Sequence, residues 1–173
     1  MRIALAFLFL ASTAFAQSQP ATSCGPDNVK FDGKVQYVYQ PLPQPEPGKA
    51  LVYVIEVFER PSGEILTPTI RVGLDGSWVG ANHGTSYLYF SVDPGEHHLC
   101  TNWQSALKRL SSQHSLTSFT AEAGKTYFFR VQTHVESEGR GSGVWYIDLQ
   151  PVDADEGKYL IASSPMSVSQ PKK

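Results

Sequence analysis

Apolar and polar positions alternate with a period of two along most of the chain after residue 48. That period places successive side chains on opposite faces of a strand. Thr69 to Leu74 puts Ile70, Val72 and Leu74 on one face. Asp75-Gly76 follows and fits a two-residue type I′ hairpin, whose two central positions need positive φ. Ser77 to Ala81 is the short return strand. Ser86 to Val92 alternates again, with Leu88, Phe90 and Val92 opposite Tyr87 and Tyr89. Asp93-Pro94-Gly95 turns the chain, since Pro presets φ and Gly accepts the left-handed position. Glu96 to Trp103 places His97, Leu99, Thr101 and Trp103 inward, and Cys100 and Asn102 outward. Lys49 to Phe58 is apolar on both faces for most of its length and predicts a central strand.

The second half continues in the same way. Ser105 to Leu110 predicts one helical turn, and Leu116 to Ala121 a strand. Ala123-Gly124 turns into Lys125 to Val135, with Tyr127, Phe129, Val131 and Thr133 in register. Glu136 to Gly143 is a charged, Gly-rich hairpin loop, and Val144 to Gln150 the last strand. Asp153-Ala154-Asp155-Glu156 has the form of a capping box and opens a short helix over Gly157 to Ser163, which Gly157 weakens. Many short strands at regular spacing predict an all-β protein: an antiparallel β-sandwich of about seven to nine strands with a short C-terminal helix.

The ends set the organisation. Met1-Arg2, the apolar run Ile3 to Leu10 and the Ala14-Phe15-Ala16 site read as a secretory signal peptide over residues 1–16. About 157 residues then remain, enough for one domain with its own core. Residues 17–47 form a Pro/Gln-rich N-terminal arm, in which Gln40 to Pro47 is an extended polyproline II connector. The sandwich occupies residues 48–165, and residues 166–173 read as a disordered polar tail. No later segment is apolar enough to span a membrane. The expected location is periplasmic or extracellular.

Charge and cysteine usage narrow the partners. The chain carries a formal net charge of −2, and −3 once Arg2 leaves with the signal. A mildly acidic chain lacks the basic face that a nucleic-acid backbone requires. Cys24 and Cys100 are an even pair in an oxidising compartment and are expected to form a disulfide. Two inert thiols or a metal site are the alternatives. If the bond forms, the arm crosses the outward face of the Cys100 strand.

Chemistry is sparse. His83, His97, His98, His114 and His134 give no zinc-ligand spacing, and adjacent strand residues His97 and His98 point to opposite faces. No metal or cofactor is expected. His97 is expected to be a half-buried core residue with a hydrogen-bond partner. No nucleophile elbow supports a Ser-His-Asp triad, and Gly141-Ser142-Gly143 lacks the strand–turn–helix setting. Aromatic residues carry the strongest signal. Trp78, Tyr87, Tyr89, Phe128 and Tyr146 fall opposite the predicted core or near hairpins. Either another layer covers them, or they form a face for stacking on sugars or for a protein interface. Trp78, Tyr87, Tyr89 and Tyr146 are the candidate binding face.

Five segments, in order, resemble one bacterial family, DUF2846. They are Gly48 to Val54, Val72 to Gly80, Tyr87 to Phe90, Pro94 to Leu99 and Ala123 to Val131. The individual pieces are also similar to PEGA-type surface β domains. The resemblance covers most of Gly48 to Ser163 and implies an exported or lipid-anchored β-sandwich with no catalytic residues to carry over. The chain departs from it in lacking a lipobox, since Ala21 stands three residues before Cys24. The Cys24/Cys100 pair and the Trp103 to Leu116 segment look like local elaborations. The leading expectation is a non-enzymatic envelope module that binds a protein or glycan. The alternative is a hydrolase with a site in the sandwich loops, using His98 or His134 with a loop carboxylate.

Overall fold

The computed structural model describes residues 24–37, 41–59, 67–139 and 142–172. The predicted signal peptide lies outside the described residues. The described residues form ten strands and two helices. They are β1 (Phe31–Gln36), β2 (Ala50–Phe58), β3 (Thr69–Leu74), β4 (Ser77–His83), β5 (Ser86–Val92), β6 (Gly95–Trp103), α1 (Lys108–Ser111), β7 (His114–Ala121), β8 (Thr126–Gly139), β9 (Ser142–Val152), α2 (Ala154–Ala162) and β10 (Met166–Pro171).

The strands form two sheets, one of six in the order β1-β10-β5-β2-β8-β9 and one of four in the order β4-β3-β6-β7. The predicted β-sandwich with a short C-terminal helix is therefore the observed fold. The Asp75-Gly76 hairpin has the predicted backbone, with φ of 50° and 81°. Alternation sends Val52, Val54, Ile70, Val72, Leu88, Leu99, Phe129 and Val131 into one core between the sheets. The other face of the six-stranded sheet carries a second core. There Leu51, Tyr53, Ile55, Tyr87 and Phe128 meet Ile161 and Leu160 of α2, with Leu42 packed against them. This is why β2 reads as apolar on both faces: it is covered twice.

Asp153 caps α2 by accepting from the backbone N–H groups of Asp155 and Glu156. Glu156, at the reciprocal position of the box, instead pairs with Arg130 at 2.6 Å. Gly157 costs helix propensity but has a packing reason. A Cβ there would overlap the Phe128 ring, so glycine lets α2 lie close on β8.

Four expectations need correction. The described residues form ten strands, more than the seven to nine expected. The two additional strands lie at the termini: the arm contains β1, and the expected disordered tail is β10. They pair antiparallel from Phe31↔Pro171 to Gln36↔Met166. Each supplies the ladder partners that the other's weak apolar pattern does not announce. Two pairings are parallel, β2 with β8 and β10 with β5, so the sheet is mixed. The expected loop from Glu136 is largely strand, since β8 continues to Gly139 and β9 starts at Ser142. The helical turn forms at Lys108–Ser111, slightly later than the pattern suggested.

Candidate functional site

The outer face of the four-stranded sheet holds the most developed polar constellation. Because Ile70, Val72 and Leu74 of β3 turn inward, Arg71 and Gly73 face outward. The β3–β6 ladder sets Arg71 opposite Asn102 and Gly73 opposite Cys100. A register shift after Val72 brings Trp78 of β4 opposite Gly73. The N-terminal arm crosses this face and is fixed there by the Cys24–Cys100 disulfide, whose Cα atoms are 5.4 Å apart. Gly73 has no side chain where one would collide with the Cys24 carbonyl.

Polar contacts complete the docking. The Trp78 indole N–H donates to the Pro26 carbonyl at 2.8 Å. Arg71 Nη1 donates to the carbonyls of Val29 at 2.8 Å and Asp27 at 3.4 Å. Arg71 Nε donates to Asn102 Oδ1 at 3.2 Å, and Nη2 reaches the same oxygen. The guanidinium lies 4.3 Å from the Trp78 ring centre, in cation–π contact. Asn102 Nδ2 then donates to the carbonyls of Ser111 and Gln113, at 2.8 and 2.9 Å. One Arg–Asn pair thus ties the arm to the segment carrying α1. Burial lowers the Arg71 pKa, and the nearby Asp27 charge opposes that shift.

Between the arm and the 104–116 segment lies a cleft of about 710 Å³. That is the size of an ordinary small-molecule site. Its walls include Lys30, Arg71, Trp78, Asn102, Lys108 and His114, with Asp27 as the carboxylate on the rim.

The four residues expected to form one aromatic face are not brought together. Trp78 lies under the arm, on the four-stranded sheet. Tyr87 is 5 % exposed and belongs to the second core, where α2 covers it as it covers Phe128. Tyr89 is 39 % exposed at the rim of that core, its ring 5.5 Å from Tyr53. Tyr146, also exposed, stacks on His134 at 5.3 Å along the β8–β9 hairpin. Covering layers, which local sequence does not specify, account for most of this separation.

His97 has the partner expected of it. Its Nδ1 is 2.7 Å from Asp75 Oδ2, and its Nε2 is 2.7 Å from the Asp93 carbonyl oxygen. Both ring nitrogens therefore face acceptors, which favours the imidazolium. Burial lowers its pKa, but the hydrogen bonds to Asp75 and Asp93 outweigh that and raise it. His98 Nδ1 stands 4.0 Å from Asp75 Oδ1, beyond hydrogen-bond reach. His83 meets the Thr69 hydroxyl at 3.0 Å. The side chains of Glu136 and Glu138 lie outside the described residues. Among the described residues, no three His, Cys, Asp or Glu side chains gather as a metal site would require.

Sequence reasoning missed Arg71, Asn102, Lys30 and Lys108 as site residues. The signal was present in the ladder parity. Arg71 and Asn102 share the outward face with Cys100, so an arm anchored at Cys100 must pass over them.

A protein-family model described as "Protein of unknown function (DUF2846)" matches residues 46–143, more than half of the chain. No curated protein and no solved structure matches it. The matched residues contain the cleft floor, from Arg71 to His114. The roof, Cys24 to Lys30, lies before them.

Proposed function

The chain belongs to the DUF2846 family, and from that premise we propose that it is an exported, non-enzymatic cell-envelope module that binds a protein or glycan. The observation that carries the reading is the cleft on the four-stranded sheet. It joins a stacking indole, a buried arginine and amide groups beneath a covalently fixed roof. Rigid, pre-arranged polar groups around one aromatic ring suit recognition, because little ordering cost remains at binding. The signal-peptide pattern at residues 1–16 and the disulfide support export. Among the described residues, no helix is long and apolar enough to cross a membrane. The non-enzymatic reading is supported by His98, a histidine of the hydrolase alternative, which stands 4.0 Å from the Asp75 carboxylate, beyond hydrogen-bond reach.

Two measurements test the reading. Cell fractionation with N-terminal sequencing should find the protein outside the cytoplasm, beginning at Gln17. A glycan array and cross-linking in envelope extract should find a saturable partner, lost on Trp78→Ala. A cytoplasmic protein retaining Met1, or a partner unaffected by Trp78→Ala, would overturn it.

A further inference from the structure

Arg71 presents an unusual charge balance. It is 6 % exposed, and its hydrogen-bond partners are neutral oxygens: the Asn102 amide and two backbone carbonyls. Among the described residues it has no carboxylate within ion-pair distance. Arg130, on β8 of the other sheet, is paired with Glu156 at 2.6 Å although it is more exposed. Buried charges are ordinarily paired, because desolvation without a counter-ion is costly. Lys30 and Lys108 line the same cleft and also lack an ion pair among the described residues. One buried and two exposed cations thus line the cleft with one carboxylate, Asp27, on a chain whose overall charge is negative.

We propose that this cleft binds an anionic group, carboxylate or phosphate, with Arg71 as its buried anchor and Lys30 and Lys108 at its mouth. The proposal rests on reading the cleft as the binding site and adds the class of ligand. Asn102, Trp78 and the arm carbonyls hold Arg71 in place and engage all but one of its N–H donors, so it offers an oxyanion its positive charge and one Nη2 N–H. Carboxylate and phosphate both supply the anionic acceptor that this donor suits. The mouth lysines add attraction that salt will screen. Ser111, Ser112 and His114 also line the cleft.

The test is titration of the exported, oxidised protein, followed by amide NMR and calorimetry. The probes are inorganic phosphate, an oligogalacturonate, and a neutral oligosaccharide of equal length. Saturable binding of phosphate or the uronate, with shifts at Trp78, Asn102 and His114, supports the proposal, and the tighter of the two identifies the source of the oxyanion. Lys30→Ala with Lys108→Ala should weaken that binding about tenfold, with the unfolding midpoint unchanged. Both lysines contact solvent, so folding is not at stake. Arg71→Gln should abolish binding; the lysine pair keeps the test decisive if that variant does not fold. No saturation by either anion overturns the proposal, as does undiminished binding by the lysine pair. Equal or tighter binding of the neutral oligosaccharide in the cleft overturns it too, while leaving the proposed binding function intact.

Discussion

The Asp75 carboxylate bridges His97 and the backbone of β6. Oδ2 meets the His97 ring at 2.7 Å, and Oδ1 accepts the His98 backbone N–H at 2.8 Å. With His97 also on the Asp93 carbonyl, one imidazole joins the β3–β4 turn to the β5–β6 turn. The ring's pKa is raised in the folded state. The folded protein therefore binds more protons than the unfolded chain between the two pKa values. The stabilisation is fully present below the ordinary value of 6.5 and is lost as pH rises through the folded value. Urea unfolding of the protein and of His97→Gln, from pH 5 to 9, should show a difference of about 2 kcal/mol at the acid end. That difference should shrink at the alkaline end. A constant difference would mean that the ring acts only by packing.

Glu56 gives a slope of the same sign from a different cause. It is fully buried on β2, and among the described residues neither carboxyl oxygen has a hydrogen-bond partner. Burial pushes its pKa well above the ordinary carboxylate range. The folded state holds the proton that the unfolded chain gives up above about pH 4.5, so stability falls as pH rises beyond that value. Glu56→Gln should match the parent near pH 4 and be the more stable protein at pH 7. Thermal midpoints at both pH values decide it, and a variant less stable at pH 7 refutes the account.

The arm's covalent anchor should matter to stability as well as to the cleft. The disulfide spans 76 residues. Closing so long a loop stabilises by about 4 kcal/mol in the chain-entropy account. Replacing Cys24 and Cys100 by Ser should lower unfolding stability by that order. It should also shift the Trp78 indole N–H resonance toward that of a solvated indole, as the Pro26 contact loosens. An unshifted resonance would show that hydrogen bonds alone hold the arm.

The strands with clean alternation, β3 to β6 and β8, were legible because their aliphatic residues recur at every second position and their turns are set by Gly or Pro. β1 and β10 were not. Phe31 and Ser167 are their buried residues among polar neighbours, and their pairing partner is at the other end of the chain. The parallel β2–β8 ladder was equally invisible, since no local feature distinguishes a parallel neighbour. His97 was legible through its parity with Leu99. The cleft was not, because Arg71 on an alternating strand reads as an ordinary solvated residue until the arm is laid over it.

That overlay is testable through Gly73. A Cβ at this position would collide with the Cys24 carbonyl, which the disulfide prevents from moving far. Gly73→Ala should therefore destabilise the oxidised protein by about 1–3 kcal/mol, the usual scale for overpacking. In the Cys24→Ser, Cys100→Ser background the arm can lift, and the same substitution should cost little. β3 would still gain alanine's better strand behaviour, since Gly weakens a strand interior. The four proteins form a double-mutant cycle, read by urea unfolding. A coupling of at least about 1 kcal/mol is expected. Equal costs in both backgrounds would mean that Gly73 is intolerant for reasons other than the arm. The Trp78 indole N–H resonance of each variant separates the two cases: an arm forced off Gly73 also leaves the indole, whereas a local β3 defect leaves the Trp78–Pro26 contact in place.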